Sequence, residues 1–101
     1  MGEAPPQTEA AFQAVVLQTA AIYGWSSYHT RDSRGSQAGW PDLALWRNDR
    51  FCLRELKTDA GRLSPAQRAT ITSLKAAGVD VDVWRPAEWT KVHDFLRGRR
   101  W

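Results

Sequence analysis

Apolar positions along this chain keep two rhythms, one of helical period and one of period two. Phe12, Val15, Val16, Thr19, Ala20 and Tyr23 recur at helical spacing. Thr8 can cap a helix that begins at Glu9, and Gly24 ends it. Residues Trp25 to Thr30 alternate weakly and predict a short strand. Residues 31–40 are polar, contain two glycines and predict a loop. Pro41 opens a second strand over Asp42–Arg47, Asn48-Asp49 makes a tight turn, and a third strand runs from Arg50 to about Lys57. Thr58 to Leu63 is a loop. Ser64 then caps a helix with Pro65 at its first position, Ile71 and Leu74 on its apolar face and Gly78 at its end. Val79, Val81 and Val83 alternate with Asp80, Asp82 and Trp84 as a fourth strand. Pro86 opens a last helix, with Trp89, Val92 and Leu96 on one face.

The predicted order is α-β-β-β-α-β-α. Local hairpin-like connections join the first three strands, whereas the fourth follows a helix and needs a right-handed crossover. An α/β fold follows, a mixed sheet flanked by helices.

Composition sharpens this picture. A chain of 101 residues suits one domain. Six tryptophans are many for that length, so some are expected outside the core or on a partner surface. Net charge is +3, and most of the 14 basic residues are Arg, whose fork matches phosphate oxygens. That charge makes a nucleic-acid partner a candidate but does not by itself set it above the plainer alternative of an ordinary basic surface. The lone Cys52 excludes an intrachain disulfide and a cysteine-based metal cluster, and fits an intracellular setting. The start of the sequence is not a signal peptide, and no apolar run reaches membrane-spanning length, so no membrane partner is expected.

The hairpin carries the chemistry. With Asn48 and Asp49 as a two-residue turn, Arg47 pairs with Arg50, Trp46 with Phe51, Ala44 with Leu53 and Asp42 with Glu55. Two carboxylates then stand opposite each other on one sheet face, where like charges repel. A divalent cation held by oxygen ligands relieves that repulsion. Phe51, Leu53, Glu55 and Lys57 share a face by alternation, so an ammonium stands beside the acids. Cys52 falls on the opposite face, in the core. Carboxylates, a cation and a lysine are equipment for hydrolysing a phosphodiester. The alternative is a surface hairpin with ordinary charges. It fits poorly with Glu55 and Lys57 continuing an apolar face.

Other residues have two readings. Glu9 shares a helix face with Phe12, Val16 and Ala20, so it points toward the sheet, but a carboxylate also suits a helix N-terminus. Gln67 completes a capping box with Ser64, yet shares the inward face of Ile71 and Leu74. His29 shares a strand face with Trp25 and Ser27 and is either structural or part of a site. Ser33, Arg34 and Ser36 lie in the glycine loop, as DNA-phosphate contacts or as a solvated loop. His93, late in the last helix, is expected at the surface.

Gly39-Trp40-Pro41-Asp42, a strand, then Glu55-Leu56-Lys57 resembles the PD-(D/E)XK nuclease signature. With Gly-Arg-Leu-Ser-Pro-Ala-Gln at 61–67 and Val-Asp-Val-Trp-Arg-Pro at 81–86, the chain is similar to the VRR-NUC subgroup, the virus-type replication-repair nucleases. The likeness spans roughly residues 8 to 96. It implies a restriction-endonuclease-like αβββαβ core with a C-terminal helix. Residues 1–7 would be a loose leader, 8–97 the nuclease domain and 98–101 a basic tail. It also implies a metal-dependent DNA endonuclease in which Asp42, Glu55 and the backbone carbonyl of Leu56 bind Mg²⁺ or Mn²⁺. Lys57 would be the catalytic lysine, Glu9 an additional acid and Gln67 a neighbour of the site, with a histidine often found near position 29. Stand-alone members resemble Holliday-junction resolvases, which implies branched DNA as substrate, a homodimer and an intracellular place in a bacterial or phage-infected cell. A DNA-binding module without catalysis, or a small restriction-type nuclease, are the competing expectations.

Overall fold

The computed structural model describes residues 8–29 and 38–98. Its elements follow the expected order: α1 (Glu9–Ile22), β1 (Ser26–His29), β2 (Leu43–Arg47), β3 (Arg50–Leu56), α2 (Pro65–Ala76), β4 (Val81–Trp84) and α3 (Trp89–Arg97). The last helix begins later than expected. Pro86–Glu88 forms a 3-10 turn, and the α-helix starts only at Trp89. The first strand is shorter than expected, and the fourth begins at Val81 rather than Val79. The expected leader, Ser33, Arg34, Ser36 and the tail beyond Gly98 lie outside the described residues.

Local chemistry explains the helix ends. Thr8 Oγ1 accepts from the Ala11 amide, and Gly24 leaves α1 with φ +86°. Ser64 and Gln67 cap α2 reciprocally, with Pro65 at its start.

The sheet order is β1-β2-β3-β4. The first three strands run antiparallel and β4 is parallel to β3, so the sheet is mixed. β2 and β3 pair in the predicted register, Arg47 with Arg50, Trp46 with Phe51 and Ala44 with Leu53. Asn48 takes the left-handed conformation (φ 56°) that tightens this turn.

The two faces of the sheet are covered differently. On one, Leu43, Leu45, Cys52, Leu56 and Trp84 pack with Phe12, Val16 and Ala20 of α1 and with Val92 and Leu96 of α3. Each such buried aliphatic contributes about 1.5–3 kcal/mol. On the other, Leu53 and Val81 pack beneath Ile71 of α2 in a smaller cluster. The smaller cluster leaves part of its face bare. Tyr28, Trp46 and Phe51 stay exposed there, on three neighbouring strands.

Three arginines lie over aromatic rings on the α1/α3 face, Arg54 buried, Arg47 half-buried and Arg50 exposed. Arg54 is buried on the α1/α3 side, bonded to Asp80 at 3.0 Å and stacked on Trp84 and Phe95. Arg50 lies over Phe95, and Arg47 lies over Trp25 while donating to the Tyr23 and Leu96 carbonyls. His93 is half-buried rather than on the surface. Its ring meets Trp89 edge-on, and its Nε2 lies 3.2 Å from the Tyr23 hydroxyl.

Gly39 has φ +88°, and a side chain there would lie 2.4 Å from the Ala66 carbonyl oxygen of α2. Gly78 has the same φ with open space around it. Gly78→Ala should therefore cost only the strain of the left-handed backbone, about 1–2 kcal/mol. Gly39→Ala should cost clearly more, because the loop must also part from α2. Urea unfolding of both variants measures the difference, and equal losses would contradict it.

Candidate active site

The site is built where the β2–β3 hairpin opens. Asp42 immediately precedes β2, one residue before the Leu43–Arg54 pair at which the ladder ends, so the expected Asp42–Glu55 pair is not part of the ladder although the two carboxylates lie close together. Its Oδ2 accepts the Leu56 amide at 2.9 Å, which fixes the carboxylate against the end of β3. Glu55 faces the α2 side and is only 1% exposed. Glu9 arrives from α1, on the other side of the sheet. It continues the buried stripe of Phe12, Val16 and Ala20 by one turn, to an exposed position at the sheet's end. One carboxylate oxygen from each of Glu9, Asp42 and Glu55 lies within 4.8 Å of the others.

Gln67 reaches the same point, and both of its expected roles are met by one amide. Its Oε1 accepts the Ser64 amide at 2.8 Å, and its Nε2 donates to Glu55 Oε2 at 2.9 Å. The capping bond leaves the amide nitrogen, not the oxygen, to face Glu55. Lys57 Nζ stands 3.9 Å from the same Glu55 oxygen. The Lys57 amide donates to the Trp84 carbonyl, extending the parallel pairing past the end of β3.

Glu55 Oε1 is buried with no hydrogen-bond partner among the described residues. A buried acceptor left bare is costly, and here it borders two further carboxylates. Burial is the main cause that lifts the Glu55 carboxyl. The charge of Asp42 adds to it, Lys57 opposes it and Glu9 adds again, and the result is a pKa of about 8. The donor set fits a divalent cation, since bonds of about 2.0–2.6 Å hold oxygens within roughly 4–5 Å of one another.

His29 is not gathered into this group. It pairs with Leu43 on the α1 side of the sheet, with its Nδ1 enclosed and unpartnered among the described residues. Cys52 is buried on the face away from Glu55, as expected. Sequence reasoning missed Arg54 and Arg85. Alternation already placed Arg54 on the inward face between Cys52 and Leu56, a signal that was available. Arg85 binds the carbonyls of Thr58 and Gly61; the Val-Asp-Val-Trp-Arg-Pro motif contains the residue but gives no sign of these partners.

A mixed sheet with a helix on each side, and acids and a lysine at the end of its central hairpin, defines a restriction-endonuclease-like α/β protein. The chain belongs to the VRR-NUC domain family, whose model matches residues 3–88. It is 43% identical over 56 residues to the Fanconi-associated nuclease 1 homolog of Schizosaccharomyces pombe. That stretch covers 54% of this chain and 8% of the relative, so the chain spans a small part of that protein's length. No solved structure matches significantly. No described helix is long and apolar enough to cross a membrane.

The raised Glu55 pKa fixes a pH dependence without divalent ions. An unfolded glutamate ionises near 4.5, whereas the folded one keeps its proton to about 8. The unfolded state then binds fewer protons across that window, so stability falls as pH rises from about 4.5 to about 8 and levels off above. In EDTA, Glu55→Gln should lack this decline and melt several degrees above the natural sequence at pH 8.5, at roughly 4–8 °C per kcal/mol for a domain of this size. Parallel melting profiles from pH 4 to 9 would show that Glu55 is not the group responsible.

Proposed function

We propose that this chain is a divalent-metal-dependent DNA endonuclease that cuts branched DNA, Holliday junctions among its substrates, as a homodimer. One observation carries the reading: three carboxylates converge beside a lysine, and one of them, Glu55, keeps a buried oxygen with no hydrogen-bond partner among the described residues. Family membership and a relative that is a nuclease by name support it.

Asp42, Glu55 and the backbone carbonyl of Leu56 would hold Mg²⁺ or Mn²⁺, with Glu9 closing the acidic side. When bound, the cation supplies Lewis acidity toward the phosphoryl group and toward water. Lys57 places its ammonium where it can orient the attacking water or offset charge growing on the phosphate. Gln67 donates to Glu55 Oε2, while Oε1 has no hydrogen-bond partner among the described residues. The Leu56 amide sets the direction of the Asp42 carboxylate. Ser33, Arg34 and Ser36 are proposed phosphate contacts. His29 is proposed as a further DNA contact at the end of the sheet.

The dimer is proposed through the bare part of the α2-side face. Tyr28, Trp46 and Phe51 are 67%, 41% and 54% exposed there. Trp46 and Phe51 lie four residues along their strands from Asp42 and Glu55, or ~13 Å at the rise of a strand. A partner seated on these rings leaves the acids open. A twofold pair of sites suits a junction, which offers two symmetric strands.

The test uses labelled four-way junction, flap, single-stranded and duplex DNA with Mg²⁺, Mn²⁺ or EDTA. Cutting should need metal, favour the junction, and fall at least about 100-fold in Lys57→Ala with DNA binding retained. Binding without cutting on every substrate would mean a non-catalytic DNA-binding module. Binding should also weaken steeply with salt as phosphate contacts release counterions.

Light scattering tests the dimer. The natural sequence should run at twice the chain mass, and Trp46→Glu at the chain mass with its melting temperature held. A natural sequence that stays monomeric at all concentrations would overturn this part.

A further inference from the structure

The loop that follows Lys57 is tied down from the far side of the parallel strand pair. Arg85 Nη1 donates to the Thr58 and Gly61 carbonyls, both at 2.6 Å, with the Asp59 carbonyl at 3.5 Å. A second bond runs the other way between the same segments, since Asp59 Oδ1 accepts the Ala87 amide at 2.8 Å. The loop also closes on itself, with the Gly61 amide donating to the Thr58 carbonyl. Gly61 thus lies near the lysine stem. A side-chain carbon built there would stand 3.5 Å from Lys57 Cδ.

Lys57 is therefore held at two points. Its backbone is fixed by the Trp84 carbonyl, and its aliphatic stem passes close to a turn whose carbonyls are held by the next residue after Trp84, Arg85. The Lys57 side chain is mostly enclosed, so this turn limits where its ammonium can go. A guanidinium donating to carbonyls forms charge-assisted bonds, roughly twice as strong as neutral ones.

We propose that Arg85 is a positioning residue for Lys57, setting the ammonium beside Glu55 through the 58–61 turn. This rests on the catalytic role proposed for Lys57. Arg85 spends these donors on the chain's own backbone, which separates it from a phosphate contact. A phosphate contact acts on substrate binding. A positioning residue acts on turnover.

The experiment compares Arg85→Ala and Arg85→Lys with the natural sequence in two assays. On cleaved DNA with Mg²⁺, Arg85→Ala should lower kcat by about 10–100-fold, because small misplacements of a catalytic group cost that much. KM should stay within about threefold, and millimolar guanidinium should restore part of kcat to Arg85→Ala. Arg85→Lys, which keeps the charge and one donor group, should lie between. Without DNA, NMR should detect contacts between the Lys57 side chain and Gly61 Hα in the natural sequence. These contacts should be lost in Arg85→Ala while the core resonances persist. A rise in KM with kcat unchanged, or contacts that survive in Arg85→Ala, would overturn the proposal. If the natural sequence cuts no DNA, the nuclease reading falls, and the NMR comparison still decides whether Arg85 places Lys57. If Arg85→Ala does not fold, Arg85→Lys carries both assays.

Discussion

The structure depends on keeping one carboxyl, that of Glu55, out of water and opposite another acid. Neither burial nor a facing carboxylate is tolerated cheaply in a thin sheet. The surroundings answer with one hydrogen bond from Gln67, one nearby ammonium and a pKa lifted to about 8. Register comes first in this chain of dependence. A slip of one residue between β2 and β3 would turn Glu55 toward the face of Cys52 and Leu56, away from Gln67. The tight turn at Asn48-Asp49 therefore matters as much to the chemistry as the acids do. The caps matter too, because Gln67 reaches Glu55 from the first turn of α2, the part that the Ser64 box holds in place.

The charge of the chain has a different meaning inside the fold. A surplus of arginine pointed outward, toward phosphate. Arg47, Arg50 and Arg54 instead lie over Trp25, Phe95 and Trp84, on the face packed by α1 and α3. Flat guanidiniums lying on aromatic rings let charged strands pack beneath a short helix. Two of the six tryptophans, Trp25 and Trp84, thereby belong to the core, while Trp40 and Trp46 remain at the surface. Net charge alone could not separate these uses, since it carries no positions.

What the sequence revealed follows from which interactions leave a residue-specific trace. The β2–β3 register was legible because a two-residue turn sets every pair behind it, and Asn tolerates the left-handed backbone such a turn needs. The inward direction of Glu9 was legible from helical spacing. Its place at the sheet's end, within reach of acids on the opposite face, was not, because spacing gives a side and not a depth. Gln67 read correctly as both cap and neighbour of the site, since the two readings use opposite ends of its amide. His93 read wrongly as a surface residue, because the strip of α3 that meets α1 is wider than the apolar pattern of Trp89, Val92 and Leu96. The arms of Arg85 were illegible for a plain reason. Their acceptors are backbone carbonyls 24 to 27 residues away, and every residue type carries one.

The mixed sheet also explains why the lysine can be held at all. In the antiparallel part, β2 begins only at Leu43 and Asp42 turns its carboxylate onto the Leu56 amide, so pairing on that side stops beside Glu55. Lys57 would stand alone there if the sheet were only a hairpin. β4 runs parallel on the other edge and carries on past that point, supplying the Trp84 carbonyl to Lys57 and then Arg85 to the turn beyond it. One neighbour of β3 opens the site while the other keeps its backbone fixed. A carboxyl whose pKa is lifted by burial to about 8 completes the same logic. The chain can fold without the full cost of a buried anion.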